Sequence, residues 1–196
     1  MARLGPSPES PPTKASLVLA IHAAGANADR WPGVLEQLRR HLDAQVVTLG
    51  RHEFVTGTDL ALFESPSPSG LSQDMAAFSA RNPWFLSSDE YRTGRVMTGD
   101  ELISQADLRR TDFYRGCLKP RGLLHLLCGV VDQRRQGAHL VAAYRAESQQ
   151  PFSERERAEL AELLSHITLS MQFQWRWQEA NDLVRALLAL SDHEAH

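Results

Sequence analysis

Residues 94–131, GRVMTGDELISQADLRRTDFYRGCLKPRGLLHLLCGVV, decide the fold of this 196-residue chain. The run Leu123–Val131 is apolar apart from His125 and stands between turn signals, a length that favours a strand over a helix. With a period of two, Leu123, His125, Leu127, Gly129 and Val131 share one face, and Leu124, Leu126, Cys128 and Val130 share the other. Both faces are apolar, so the strand is expected at the centre of a sheet covered on both sides. Before it, Lys119-Pro120-Arg121-Gly122 stops helix, since proline pushes Lys119 out of the α region and glycine permits positive φ. Residues 99–118 space Leu102, Ile103, Leu108, Phe113, Tyr114 and Leu118 among polar residues, as short helices with one buried face do. Thr98 or Gly99 can cap the first of these, with Asp100 and Glu101 in its first turn. Arg95–Thr98 reads as a short strand.

Working outward, Ala138–Arg145 alternates Leu140, Ala142 and Tyr144 against His139, Val141 and Ala143 and pairs with the central strand through the Arg134–Gly137 connection. Gln45–Leu49 and Asp59–Phe63 form a second hairpin, turning within Glu53–Thr58. Lys14–Ala26 and a segment entered at Asp29–Pro32 and running to His41 are helices, and Trp31 is an anchor packed on the sheet. Residues 65–70, SPSPSG, break the chain before a short helix marked by Leu71, Met75 and Phe78 and ended by Asn82-Pro83. Ser153 with Glu156 has the capping-box pattern, Phe152 can staple the first turn, and Leu160, Leu163, Leu164, Ile167 and Met171 form the inner stripe of a long helix. From Ser153 to the end there is no proline or glycine. The pattern is α+β: a mainly antiparallel sheet of about five strands, flanked by helices, with a long C-terminal helix.

The order RVMTGDELISQADLRRTDFYRGCLKPRGLLHLLCGVV, GAHLVAAYRA, PFSERERAELAELLSHITLSM, preceded by IHAAGANADRWPGVLEQLRRHLDA, resembles the N-terminal sensor region of bacterial LuxR-type helix-turn-helix regulators over Leu17–Met171. The resemblance implies a PAS- or GAF-like domain that receives a signal. It implies a cavity between the sheet and the connecting segments. The domain organisation then reads as a disordered tail 1–13, a sensor domain 14–172 and a signalling and dimerisation helix 173–196. In such regulators the pattern continues into a helix-turn-helix, which these residues do not contain, so DNA is expected to be reached only through a domain outside this sequence, or through pairing with a complete relative.

Composition agrees. A formal charge of −3 and a pI near 6.2 give no basic footprint for phosphate neutralisation. Two cysteines argue against a disulfide scaffold and fit a reducing cytoplasm. No apolar stretch approaches the ~18 residues of a membrane span. The apolar Ala15–Ala26 is read as a helix instead of a signal peptide, because His22 interrupts it and its basic residues are scattered.

The candidate ligand-binding residues are Phe78, Trp84, Phe85, Tyr91, Met97, Tyr114, His125 and Cys128. The aromatic members, in or beside an irregular connection, either line a pocket against the sheet or fill the core. His125 and Cys128 fall on opposite faces of one strand and cannot easily share a ligand. Cys117, beside Arg115, Lys119 and Arg121, is the thiol better placed to ionise. No HxH, HExxH, CxxC, phosphate-loop or nucleophile-elbow spacing is present, so neither metal nor cofactor nor catalytic residue is expected. A small cysteine- or histidine-dependent enzyme is the alternative reading. Leu183, Leu187 and Leu190 have heptad-like spacing, which points to a homodimer seam, unless the helix breaks near Asn181 and folds back.

Overall fold

The central strand β4 (Leu123–Gln133) is buried without interruption from Leu123 to Val131, so neither of its faces meets water. A computed structural model of the chain describes residues 11–86 and 89–194, with backbone alone from 186 onward. Most of the expected tail, and the side chains of Leu187 and Leu190, therefore lie outside the described residues. β4 pairs antiparallel with β5 (Gly137–Ala146) on one side and with the short β3 (Val96–Thr98) on the other. β1 (Val46–Glu53) joins β5, and β2 (Thr58–Ser65) joins β1 as the outer edge, giving five antiparallel strands in the order β2-β1-β5-β4-β3. The alternation in the sequence sets the two faces. Val47, Leu49, Leu127, Val131, Val141 and Ala143 enter one apolar cluster, while Val46, Leu124, Leu126, Cys128, Val130, Leu140, Ala142 and Tyr144 enter the other. Leu123 departs from its expected face and joins the second cluster, because the β4–β5 register shifts between Leu123 and His125.

The first face is covered by three long helices, α1 (Lys14–Ala26), α2 (Trp31–His41) and α6 (Glu154–Glu194). Thr13 caps α1 by accepting from the Ser16 amide. At the start of α6, the Ser153 amide and hydroxyl both donate to Glu156 Oε2 at 2.8 and 2.7 Å, which completes the expected capping box. Leu160, Leu163, Leu164, Ile167 and Met171 are all buried against the sheet and its neighbours. Trp31 is fully buried and anchors α2 to α6 as well as to the cluster, its indole donating to Gln174 Oε1 at 2.8 Å. α1 and α6 approach so closely at Gly25 that a Cβ there would stand 3.0 Å from Ser170 Cα. The helix does not break near Asn181: α6 continues unbroken over 41 residues. Beyond Trp175 no side chain described on it is buried, so its distal part has left the domain.

The second face is covered by shorter pieces, as the mixed polar pattern of residues 65–121 predicts. These are α3 (Leu71–Phe78), a tight turn at Pro83–Phe85, α4 (Gly99–Leu102), α5 (Gln105–Leu108) and a wide turn at Tyr114–Leu118. Thr98, not Gly99, caps α4, with Glu101 accepting from the Thr98 amide at 2.9 Å. Arg121 clamps the start of α3 through Asp74 and the carbonyls of Ser69 and Gly70.

Arg145, at the end of β5, ties the helical layer to the sheet. Its guanidinium donates to the carbonyls of Leu42, Asp43 and Gln150, pairs with Glu156 and lies 4.2 Å over the Phe152 ring. Burial alone would raise the Glu156 carboxyl, but the Arg145 guanidinium and Ser153 overcome that and hold it below the ordinary value of 4.5. This pair therefore stabilises the fold above about pH 4.5, and its contribution drains as pH falls through the lower folded value. Replacing Arg145 with Met is expected to cost about 3 kcal/mol, since it leaves several carbonyls and one carboxylate short of a partner. Urea melts at pH 7 and pH 3.5 should show a smaller gap between variant and wild type in acid; an equal gap at both would remove the ion pair from the account.

Candidate functional site

The side chains of the second face fill most of the space beneath the short segments. Trp84, only 2 % exposed, sets its ring edge-on to Phe113 at 5.4 Å and tilted against Tyr144 at 6.3 Å. The fully buried Tyr91 donates its hydroxyl to the Trp84 carbonyl at 2.6 Å and packs on Phe54 and Phe85. Met97 and Cys128 are paired across β3 and β4, both fully buried. Tyr114 is buried and its hydroxyl donates to Glu147. Phe78 is partly buried and lies on Gly116, where a Cβ would come within 2.3 Å of its ring. Close approach is what requires glycine at that point.

Among the described residues a cavity opens at the β2 edge of this face. Thr48, Gly50 and His52 of β1, Asp59 to Ala61 of β2, and Leu140, Ala142 and Tyr144 of β5 form its floor and side, with Met75 and Ser72 of α3 and Phe85 above. Its free volume is about 50 Å3, room for a few waters and far below that of a drug-sized ligand site. The hairpin register shifts at Leu49/Gly50, and Gly50 has no space for a side chain because a Cβ would meet the Leu60 carbonyl at 2.7 Å.

Inside this mostly apolar setting lies a polar pair. His52, 1 % exposed, shares a 2.6 Å hydrogen bond between its Nδ1 and Asp59 Oδ1, the two residues being register partners across the hairpin. The His52 ring is packed between Phe54 and Phe85, with centroids 5.0 and 4.9 Å away. Its Nε2 and the second carboxylate oxygen, Asp59 Oδ2, are both buried without a partner. Left without any partner, each such atom would cost about 1–3 kcal/mol, so each calls for a partner other than the protein atoms around it.

Of the eight candidate residues, Phe85 lines this cavity. Trp84 and His125 line a second, more polar one of about 130 Å3, bounded by Thr98, Gly99, Asp100, Pro151, Phe152 and Glu154 at the start of α6. The Trp84 indole nitrogen is buried there without a partner. Burial pulls the His125 imidazole below its ordinary value, which favours its neutral form. Tyr91, Met97, Tyr114, Cys128 and Phe78 pack in or against the surrounding cluster and line neither cavity. The sequence reading did not single out His52 and Asp59. Their signal is the inward alternation Thr48–Gly50–His52 on the first hairpin, with an acid directly opposite its last member.

The expectation for Cys117 is corrected. Although Arg121 favours its thiolate, burial dominates and pushes the thiol up to about 12, as it does for Cys128. Among the described residues no group of three or more histidine, cysteine or acidic side chains is placed to hold a metal ion. Nor is any described helix long and apolar enough to cross a membrane.

No family model matches this sequence, and no curated protein matches it either. Solved structures do match in fold. The VqsR LBD domain from Pseudomonas aeruginosa is 14% identical and superposes with a TM-score of 0.63, covering 83% of this chain and 96% of that one. The phycoerythrobilin-bound GAF domain of a cyanobacterial phytochrome is 12% identical, with a TM-score of 0.56 over 85% of this chain and 98% of that one. SdiA from Escherichia coli is 15% identical, with a TM-score of 0.55 over 84% of this chain and 68% of that one. At these identities the likeness shows the fold. The chain has a GAF-like architecture, a five-stranded antiparallel sheet between a long-helix layer and a layer of short segments.

Two consequences can be measured. Trp84→Ala should cost about 3–5 kcal/mol in a denaturant melt, the penalty for truncating a large buried aromatic; a loss under 1 kcal/mol would show that the indole is not packed. Iodoacetamide at pH 8 should leave both thiols of the native chain unmodified and alkylate both in urea, and rapid native labelling of Cys117 would contradict its burial.

Proposed function

We propose that this chain is the ligand-sensing and dimerisation module of a LuxR-type transcriptional regulator, and that a small molecule enters the cavity beside His52 and Asp59. The observation that carries the reading is the buried pair of unsatisfied polar atoms at a cavity, in a fold shared with domains described as ligand-binding or chromophore-bound. A binding role fits better than a reaction. The His52–Asp59 pair orients an imidazole as a catalytic dyad would, yet Nε2 has no hydroxyl or thiol in hydrogen-bond reach to activate.

A route from cavity to output helix runs through β5. Leu140, Ala142 and Tyr144 line the cavity, while Val141 and Ala143 on the opposite face belong to the cluster that includes the α6 stripe. His139 stacks on Trp175 of α6 at 4.5 Å. A ligand that packs on the cavity face of β5 therefore bears on both layers, and its differential affinity for two placements of α6 would be the signal.

The dimer reading rests on what α6 leaves uncovered. Leu169, Phe173, Trp177 and Val184 are each more than half exposed and are spaced at roughly helical repeats, and Leu19 of α1 is exposed as well. Leu183 is likewise exposed. A second copy of the chain laying the same stripe against this one would bury these residues, and a net charge of −3 favours DNA contact through a domain other than this one. Native mass spectrometry of the purified chain should show a dimer and a retained small molecule. Phe173→Asp combined with Trp177→Asp should give folded monomer, and a dimer that survives both changes would place the interface elsewhere.

A further inference from the structure

We propose that the cavity at the β1–β2 edge selects a compact apolar molecule ending in a hydroxyl or amine, neutral or cationic, and rejects carboxylates. This rests on the sensing reading above and names the class of molecule sensed. Asp59 Oδ2, the free oxygen of a carboxylate whose other oxygen is engaged by His52 Nδ1, can only accept a hydrogen bond. Its partner must bring an N–H or O–H.

His52 Nε2 is more tolerant. With Nδ1 directed at the carboxylate, Nε2 accepts when the ring is neutral and donates when it is protonated, and a hydroxyl group can meet either state. Nε2 points away from Asp59 across the ring, so no single ligand group meets both orphaned atoms, and the demand of Asp59 Oδ2 for a donor sets the class. A carboxylate in the same place would face Asp59 directly. The neighbouring charges give it no refuge: Arg51, which also lines the cavity, is paired with Glu53, and Glu64 nearby is taken up by Ser69 and Ser72.

The rest of the wall fixes the body of the ligand. Met75, Phe85, Leu140 and Ala142 are apolar, with Thr48 and Tyr144 beside them. A benzene-sized guest occupies a cavity of about 150 Å3, against about 50 Å3 free here, so a wall must yield. The wall able to yield is β2, the outer strand of the sheet, whose Leu60 is 61% exposed and whose far edge pairs with no other strand. Room for one ring, gained by moving one edge strand, sets the size limit.

The test titrates the full chain with phenol, aniline, benzoate and toluene, following backbone amides by NMR. Phenol and aniline should shift amides of residues 48–61 and 72–85 and bind about tenfold more tightly than toluene, the margin of one well-placed hydrogen bond, while benzoate should not bind. Asp59→Asn should reduce the phenol-to-toluene preference to near unity and leave toluene unchanged. Toluene binding at these residues as tightly as phenol would overturn the donor rule while leaving a ligand cavity standing. Failure of all four probes to shift those amides would also overturn it; the sensing reading would then be judged separately, on whether native mass spectrometry finds a retained molecule. The wild-type comparison needs no variant, so misfolding of Asp59→Asn would not rescue the proposal.

Discussion

A strand that is apolar on both faces cannot sit at a surface, and β4 imposes that condition on everything around it. Two covering layers are needed, and the chain builds them from different materials. The long-helix layer comes from the two ends of the domain, α1 and α2 before the sheet and α6 after it, with strong apolar stripes that seal their face. The other layer is assembled from the interrupted segment between β2 and β4, whose helices are short and whose prolines and glycines set turns. Such a cover fits closely over β3, β4 and β5, where Trp84, Phe113 and Tyr144 interlock. It is thin at β1 and β2, and there the cavity and the unsatisfied His52–Asp59 pair are found.

The same asymmetry gives the molecule a stiff side and a soft side. Arg145 binds the end of β5 to the loop after α2 and to the first turn of α6, so the sheet and the output helix are joined by a charge that is 6% exposed and surrounded by acceptors. Changes at β5 should therefore be carried into α6 instead of being absorbed locally. By contrast, the edge strand β2 pairs with a strand on one side only, and its Leu60 and Leu62 are exposed.

How much of this could be read from sequence depended on periodicity. The strands and the long helix were fixed by alternation and stripe: Leu140, Ala142 and Tyr144 face one way and Val141 and Ala143 the other, as their spacing requires, and the Ser153–Glu156 box marks the start of α6. At Lys119–Gly122 local chemistry was half right: Gly122 ends the turn with a φ of 65°, as expected, but Lys119 keeps an α conformation (φ −57°, ψ −43°) before Pro120, so the glycine and not the proline stops the helical path. What periodicity could not show was which aromatic residues interlock and which stand beside empty space. Trp84 and Phe85 are adjacent in sequence, yet one is set against Phe113 and Tyr144 with an edge on the cavity at the start of α6, and the other covers the cavity at the β1–β2 edge, a difference made by tertiary packing alone. The His52–Asp59 contact needed the hairpin register, which a shift at Gly50 alters by one residue. The Cys117 environment was misread for a related reason: nearby cations are visible in sequence, whereas burial, the larger effect here, is not.

The central claim is that a small molecule is received between the β1–β2 edge of the sheet and α3. A crystal structure of the chain with a ligand recovered from the purified protein tests it most directly. The account predicts ligand density bounded by His52, Asp59, Met75 and Phe85, with β2 displaced outward and a hydrogen bond to Asp59 Oδ2. Density lodged between α1 and α6, or at the start of α6 beside Trp84 and His125 with the His52–Asp59 cavity unchanged, would contradict it.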